Sequence, residues 1–175
     1  MFCKYSFFCL FACSILIALV PYISKIVLQG NFYDAWIYTP MLLFSSLLGC
    51  YSTFLGTFYS VVKDSVKAMK STFWGAGINV LLCLCFIPIC GVVGALIANS
   101  ISYFVIVLIR IKDVRHYIYL PINFKHFLIS LAACLIQAIT LSINVQTGFC
   151  MTILSVCIII LLHKNELIAI LKCKK

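Results

Sequence analysis

Long apolar runs follow one another along this chain with only brief polar breaks between them, and that pattern excludes most folds at once. A helix at the surface of a soluble domain carries a polar face, and such a domain spends about 25% of its residues on charge. Here 65% of the 175 residues are hydrophobic and 10% are charged, with a mean hydropathy of +1.18. The solvent for most of this surface is therefore hydrocarbon. The expected fold class is all-α, a polytopic transmembrane helix bundle forming a single domain over residues 1–175.

Measured against the roughly 20 residues needed to cross a bilayer core, the apolar runs predict about six spans. They lie near Tyr5–Leu28, Ile37–Val62, Ser71–Pro88, Val92–Ile111, Phe127–Val145 and Phe149–Leu162. The last is short: it either starts earlier, at Gln146, or is half-inserted. The charges test this count independently, because Lys and Arg gather in cytoplasmic segments. With the N-terminus inside, those segments hold Lys4, then Lys63, Lys67 and Lys70, then Arg110, Lys112, Arg115 and Lys125, then Lys164, Lys172, Lys174 and Lys175 of a short basic tail over 163–175. Lys25 alone falls near the outer face. The expected topology is multi-pass, with both termini cytoplasmic. The net charge of +9 expresses this bias and not a nucleic-acid-binding surface, since the basic residues flank spans instead of forming one face.

The first apolar run is longer than the core of a secretory signal and is read as a retained span. Most of the eleven cysteines fall inside spans, where thiols act as small apolar groups, and no disulfide framework is implied. Helices in lipid approach through small residues. Ser45, Gly49, Thr53 and Thr57 form one such stripe, with Ser52, Gly56 and Ser60 beside it. Gly94, Ala98 and Ser102 form another, with Gly91 and Ala95 as neighbours. Polar side chains at depth are Asn79, Asn99, Gln137 and, near a span end, Asn144; each needs a partner inside the protein. Asn79 and Asn99 either bond helices together or line a cavity for a polar head group. Lys25 either snorkels to nearby head groups or meets an anionic substrate group from the outer side. Tyr33, Trp36 and Tyr38 fit an aromatic belt at the outer interface. Asp34, Asp64, Asp113 and Glu166 all lie outside the span centres, so an intramembrane proton relay has no carboxylate carrier here. His116, His126 and His163 are scattered over the flanks. No nucleophile and base, paired carboxylates or metal-ligand cluster points to an enzyme or to a cofactor.

The stretch from Ala35 to Arg110 resembles the C-terminal half of bacterial polysaccharide flippases, the oligosaccharide-lipid branch of the superfamily that includes the MATE-type multidrug exporters. Trp36, Tyr38, Pro40, Leu42 and Leu43 match a W-x-Y-x-P-x-L-L opening of one helix. Phe54, Leu55, Gly56, Thr57 and Tyr59 match an F-L-G-T-x-Y segment ahead of a basic loop. Asn79 follows in the next helix, and Ile87, Pro88, Gly91, Gly94 and Ala95 match an I-P-x-x-G-x-x-G-A pattern, in which Pro88 is expected to end a helix and Gly91 to make a tight turn. The resemblance implies one lobe of a MATE-like carrier that moves undecaprenyl-pyrophosphate-linked oligosaccharide repeat units across the membrane for O-antigen, capsule or exopolysaccharide synthesis, by rocking of two lobes. Family members have about twice as many spans, so the expected partners are a missing N-terminal lobe or polysaccharide-assembly proteins, besides the lipid bilayer. Lys25, Asn79 and Asn99 are the candidate substrate-binding residues. Gly49, Gly56, Gly91, Gly94, Ala95 and Ala98 are the candidate helix-packing residues. A non-transporting scaffold, an inactive truncated product and a small-molecule drug exporter of the same superfamily are the alternatives.

Overall fold

A computed structural model describes residues 2–27, 35–117 and 124–162. Among these, six helices follow one another: α1 (Phe2–Val27), α2 (Thr39–Val62), α3 (Ser65–Cys90), α4 (Val92–Tyr117), α5 (Phe124–Ile143) and α6 (Val145–Leu162). A short 3-10 turn over 35–38 leads into α2. The chain is all-α. Five helices hold stretches long and apolar enough to cross a membrane, and the apolar stretch of α6, Val145–Leu161, is shorter. This is a multi-pass membrane protein. Tyr33, Asp34 and the basic segment 163–175 lie outside the described residues.

Boundaries differ from the hydropathy reading where polar residues begin or end a helix. α3 starts six residues before Ser71, at Ser65, because Asp64 caps it: the Asp64 carboxylate accepts from the Lys67 backbone N–H at 3.2 Å. In its first turns Lys67 and Lys70 interrupt the apolar run. Pro88 does not end α3, which runs on to Cys90. A proline this close to a helix end forfeits one hydrogen bond, and its fixed φ is already helical. α6 starts at Val145 rather than Phe149, and Asn144 is the single residue in the break between it and α5. There the Asn144 N–H still donates to the Thr140 carbonyl at 3.0 Å and the Asn144 carbonyl accepts from Gly148 at 2.9 Å.

The helices group into two compact units. One holds α1, α5, α6 and the opening of α2 as far as Phe44; the other begins at Ser45 and holds the rest of α2 with α3 and α4. In the first unit α5 and α6 form a tight hairpin, and α1 packs on both. Gly148 lies so close to Leu141 that a side chain there would collide with it. The centre of this unit is polar. Gln137 is fully buried, and its amide N–H donates to the Ser14 carbonyl at 2.9 Å. Its carbonyl accepts from the Ser14 and Ser155 hydroxyls at 2.8 and 2.7 Å, so one side chain of α5 ties both α1 and α6. Apolar residues surround it: Leu10, Ile17, Ala138, Leu141 and Ile159 are fully buried.

In the second unit the turns are abrupt. Lys63 takes a left-handed φ of 59° between α2 and α3, and the Asp64 N–H donates to the Tyr59 carbonyl at 3.0 Å. Gly91, with φ 58° and ψ −132°, joins α3 to α4 while its N–H donates to the Ile87 carbonyl at 2.8 Å. That backbone state is open to glycine and strained for any residue with a Cβ. α4 then packs along α3 closely enough that a side chain at Gly94 would strike the Phe86 carbonyl.

Two stability predictions follow from these features. Gln137→Ala removes the buried hydrogen bonds that tie α5 to Ser14 and Ser155 and is expected to lower the free energy of unfolding in detergent by about 1–2 kcal/mol. Gly91→Ala is expected to cost about 1–3 kcal/mol through backbone strain alone. Both are checked by denaturant titration followed by tryptophan fluorescence, and an unchanged midpoint for either variant contradicts its assignment.

Candidate functional site

Arg110 is the only charged side chain buried among the described residues, at 9% exposure. It lies within the apolar stretch Val92–Arg115 of α4, inside the helix and not in a loop where its charge alone would put it. Three helices of the second unit converge on its guanidinium. From α3, the Ser71 hydroxyl accepts from Nε at 3.1 Å and the Thr72 hydroxyl accepts from Nη2 at 2.9 Å. Each hydroxyl spends its own proton on the Ala68 carbonyl, at 2.8 Å from Ser71 and 3.0 Å from Thr72, which leaves the oxygen lone pairs to the arginine. From α2, the Ser52 carbonyl accepts from Nη1.

The F-L-G-T-x-Y segment makes room for this group. Ser52, Gly56 and Tyr59 recur at helical spacing on one face of α2. A Cβ at Gly56 would come within 2.8 Å of Arg110 Nη1, so the guanidinium occupies the space a side chain would take. The Tyr59 ring lies 5.9 Å from the guanidinium carbon, at the reach of a cation–π contact. Tyr59 then donates its hydroxyl proton to Asp113 at 3.0 Å, one turn beyond Arg110 on α4. One turn before Arg110, Ile106 fills the space that Gly75 of α3 leaves open. Among the described residues no carboxylate is within ion-pair distance of Arg110; the ion pair there is Lys67 with Asp64, at 3.4 Å.

A cleft of about 320 Å³ opens between α3 and α4, lined among others by Thr72, Gly75, Asn79, Asn99, Ser102 and Tyr103. The two asparagines named from the sequence meet here. Asn79 Nδ2 donates to Asn99 Oδ1 at 3.4 Å, and Asn99 Nδ2 donates to the Ser45 hydroxyl at 3.0 Å, which joins α3, α4 and α2. The Cys83 thiol closes the chain on Asn79 Oδ1 at 3.5 Å. Both asparagines are half-buried, so they bond helices and face the cleft together. Thr72 links the two polar groups, lining the cleft and holding Arg110. Lys25 is not part of this arrangement: it is exposed in the last turn of α1, in the first unit. Of the packing candidates, Gly49 faces Tyr103, whose ring would lie 3.7 Å from a Cβ placed there; Ala98 is fully buried and Ala95 is half-buried.

Because Gly56 and Arg110 compete for one volume, Gly56→Ala is expected to displace the guanidinium and cost about 1–3 kcal/mol. Residues in contact couple non-additively, so the same substitution made on an Arg110→Lys background is expected to cost less than it does alone. A double-mutant cycle on detergent-solubilised protein measures this, and strict additivity would contradict the contact.

Comparison with protein-family models, with curated proteins and with solved structures gives no match for this chain.

Proposed function

We propose that this chain is one lobe of a membrane transporter that moves lipid-linked oligosaccharide repeat units across a bacterial cytoplasmic membrane for polysaccharide synthesis. The observation that carries the reading is the α3–α4 cleft, where Asn79, Asn99 and Thr72 present amide and hydroxyl groups within apolar helices. Polar side chains at that depth are rare because each must be satisfied inside the protein, and those that also face a cleft suit a ligand rich in hydroxyl groups. The resemblance of the Trp36–Arg110 stretch to polysaccharide flippases supports the same reading. The alternation of basic segments supports an orientation with Lys63–Lys70 on the cytoplasmic side. Transport then proceeds by alternating access against a second lobe, supplied by the same polypeptide or by a partner.

Asn79→Ala combined with Asn99→Ala, introduced at the native locus, is expected to reduce surface polysaccharide severalfold while membrane levels of the protein stay unchanged. Asn99→Ala with Ser45→Ala, which breaks the same helix contact but keeps Asn79 at the cleft, is expected to reduce it less. Surface polysaccharide measured by sugar analysis and protein level measured by immunoblot decide the matter. Wild-type polysaccharide in the double asparagine variant removes the cleft from the transport path.

A further inference from the structure

The end of the second unit where α2 finishes, α3 begins and α4 finishes is strongly basic. Lys63, Lys67, Lys70, Arg110, Lys112 and Arg115 stand there against Asp64 and Asp113. Both carboxylates are engaged, Asp64 with Lys67 and Asp113 with the Tyr59 hydroxyl. Lys63, Lys70 and Lys112 are exposed, as solvated cations at a membrane surface are, but Arg110 is more than nine-tenths buried. A guanidinium has five N–H donors, and three are used, on Ser71, Ser52 and Thr72. Two remain, one on each terminal nitrogen, with no acceptor among the described residues. Every acceptor that Arg110 does have is neutral. Burying a cation without a counter-charge is expensive, and hydroxyls and a carbonyl offset only part of that cost.

The depth of the group says what could supply the charge. Arg110 comes 18 residues after Val92 at the start of α4, about 27 Å at a rise of about 1.5 Å per residue. The hydrocarbon core is about 30 Å thick, so the guanidinium stands where acyl chains give way to head groups. We infer that Arg110 is the anchor of a binding site for the phosphodiester of an anionic bilayer phospholipid, of the phosphatidylglycerol class. The two free N–H groups suit a bidentate contact to the two unesterified phosphate oxygens, which a guanidinium makes and an ammonium does not. Thr72, exposed on α3 and bonded to Nη2, marks the side from which the head group reaches the arginine. The exposed lysines add the preference for a lipid carrying net negative charge. Basic pockets between transmembrane helices are a recurrent way of holding anionic lipid head groups. This site borders the cleft of the oligosaccharide reading and shares Thr72 with it, but it does not rest on that reading.

The test is native mass spectrometry of the full chain in neutral detergent, titrated with phosphatidylglycerol, phosphatidylcholine, diacylglycerol or polyprenyl phosphate. Wild-type protein is expected to bind phosphatidylglycerol about tenfold more tightly than phosphatidylcholine, and diacylglycerol not measurably. Losing a charge-assisted hydrogen-bond pair weakens binding by about tenfold or more, which is the expected effect of Arg110→Gln. Arg110→Lys keeps the charge without the fork and is expected to lose most of the affinity as well. Equal binding of the two phospholipids to wild-type protein overturns the proposal, and that comparison needs no variant to fold. So does a folded Arg110→Gln variant with unchanged affinity for phosphatidylglycerol. Displacement of phosphatidylglycerol by millimolar inorganic phosphate would assign the site to a soluble anion, and preferential binding of polyprenyl phosphate would assign it to a carried lipid; either result overturns the bilayer-lipid assignment.

Discussion

Hydrocarbon accepts no hydrogen bonds and solvates no charge, so a polar side chain in a membrane span must find its partners on neighbouring helices. In this protein that requirement produces two centres of order, one in each compact unit. Gln137 ties α5 to α1 and α6 through Ser14 and Ser155, and Arg110 ties α4 to α2 and α3 through Ser52, Ser71 and Thr72. Apolar packing in lipid is nearly neutral to which helix meets which, because the tails are as apolar as leucine. The hydrogen bonds are directional. They select the partners and the rotation of each helix about its axis, and small residues such as Gly56 and Gly75 allow the approach that the bonds need.

α3 illustrates the balance. Only Ser71 and Gly75 of this helix are buried, and Trp74, Phe73, Leu81 and Leu84 stand exposed. A soluble protein with such a surface would aggregate; in a bilayer these side chains meet acyl chains at little cost. What holds α3 is a narrow polar line running from Ser71 and Thr72 on Arg110 to Asn79 on Asn99. The cleft between α3 and α4 lies along that line, so the groups that bind the helix are also the polar groups offered to a ligand.

Hydropathy made the membrane class and the helix count legible, because solvent choice is a bulk property averaged over about 20 residues. Boundaries were less legible where capping decided them, as with Asp64 before α3, or where a one-residue break sufficed, as at Asn144. Asn79 and Asn99 could be named from the sequence, but their meeting with each other and with Ser45 depends on the rotation of three helices. Lys25 was named on its position in an apolar run and lies exposed, since a long aliphatic stem near a helix end lets the ammonium reach the interface. Arg110 was passed over as one more basic residue of a cytoplasmic flank. Charge counting treats all cations in a segment alike, and it does not separate the buried Arg110 from the exposed Lys112 and Arg115 further along α4.

A signal for Arg110 was nevertheless present. Ser52, Gly56 and Tyr59 form a face of α2 with a carbonyl made accessible, a missing side chain and an aromatic ring, and Ser71, Thr72 and Gly75 form a matching face of α3. Small residues alone would indicate close packing of two helices. Hydroxyl groups paired with a gap and a ring instead describe a space that is too polar for leucine and too flat for lysine, and a planar cation with several donors fits it. The arginine and its cradle are therefore one feature distributed over three helices. Gly56 leaves the room that the Arg110 guanidinium takes, and Ser71 and Thr72 supply acceptors for a cation carried in the apolar stretch of α4.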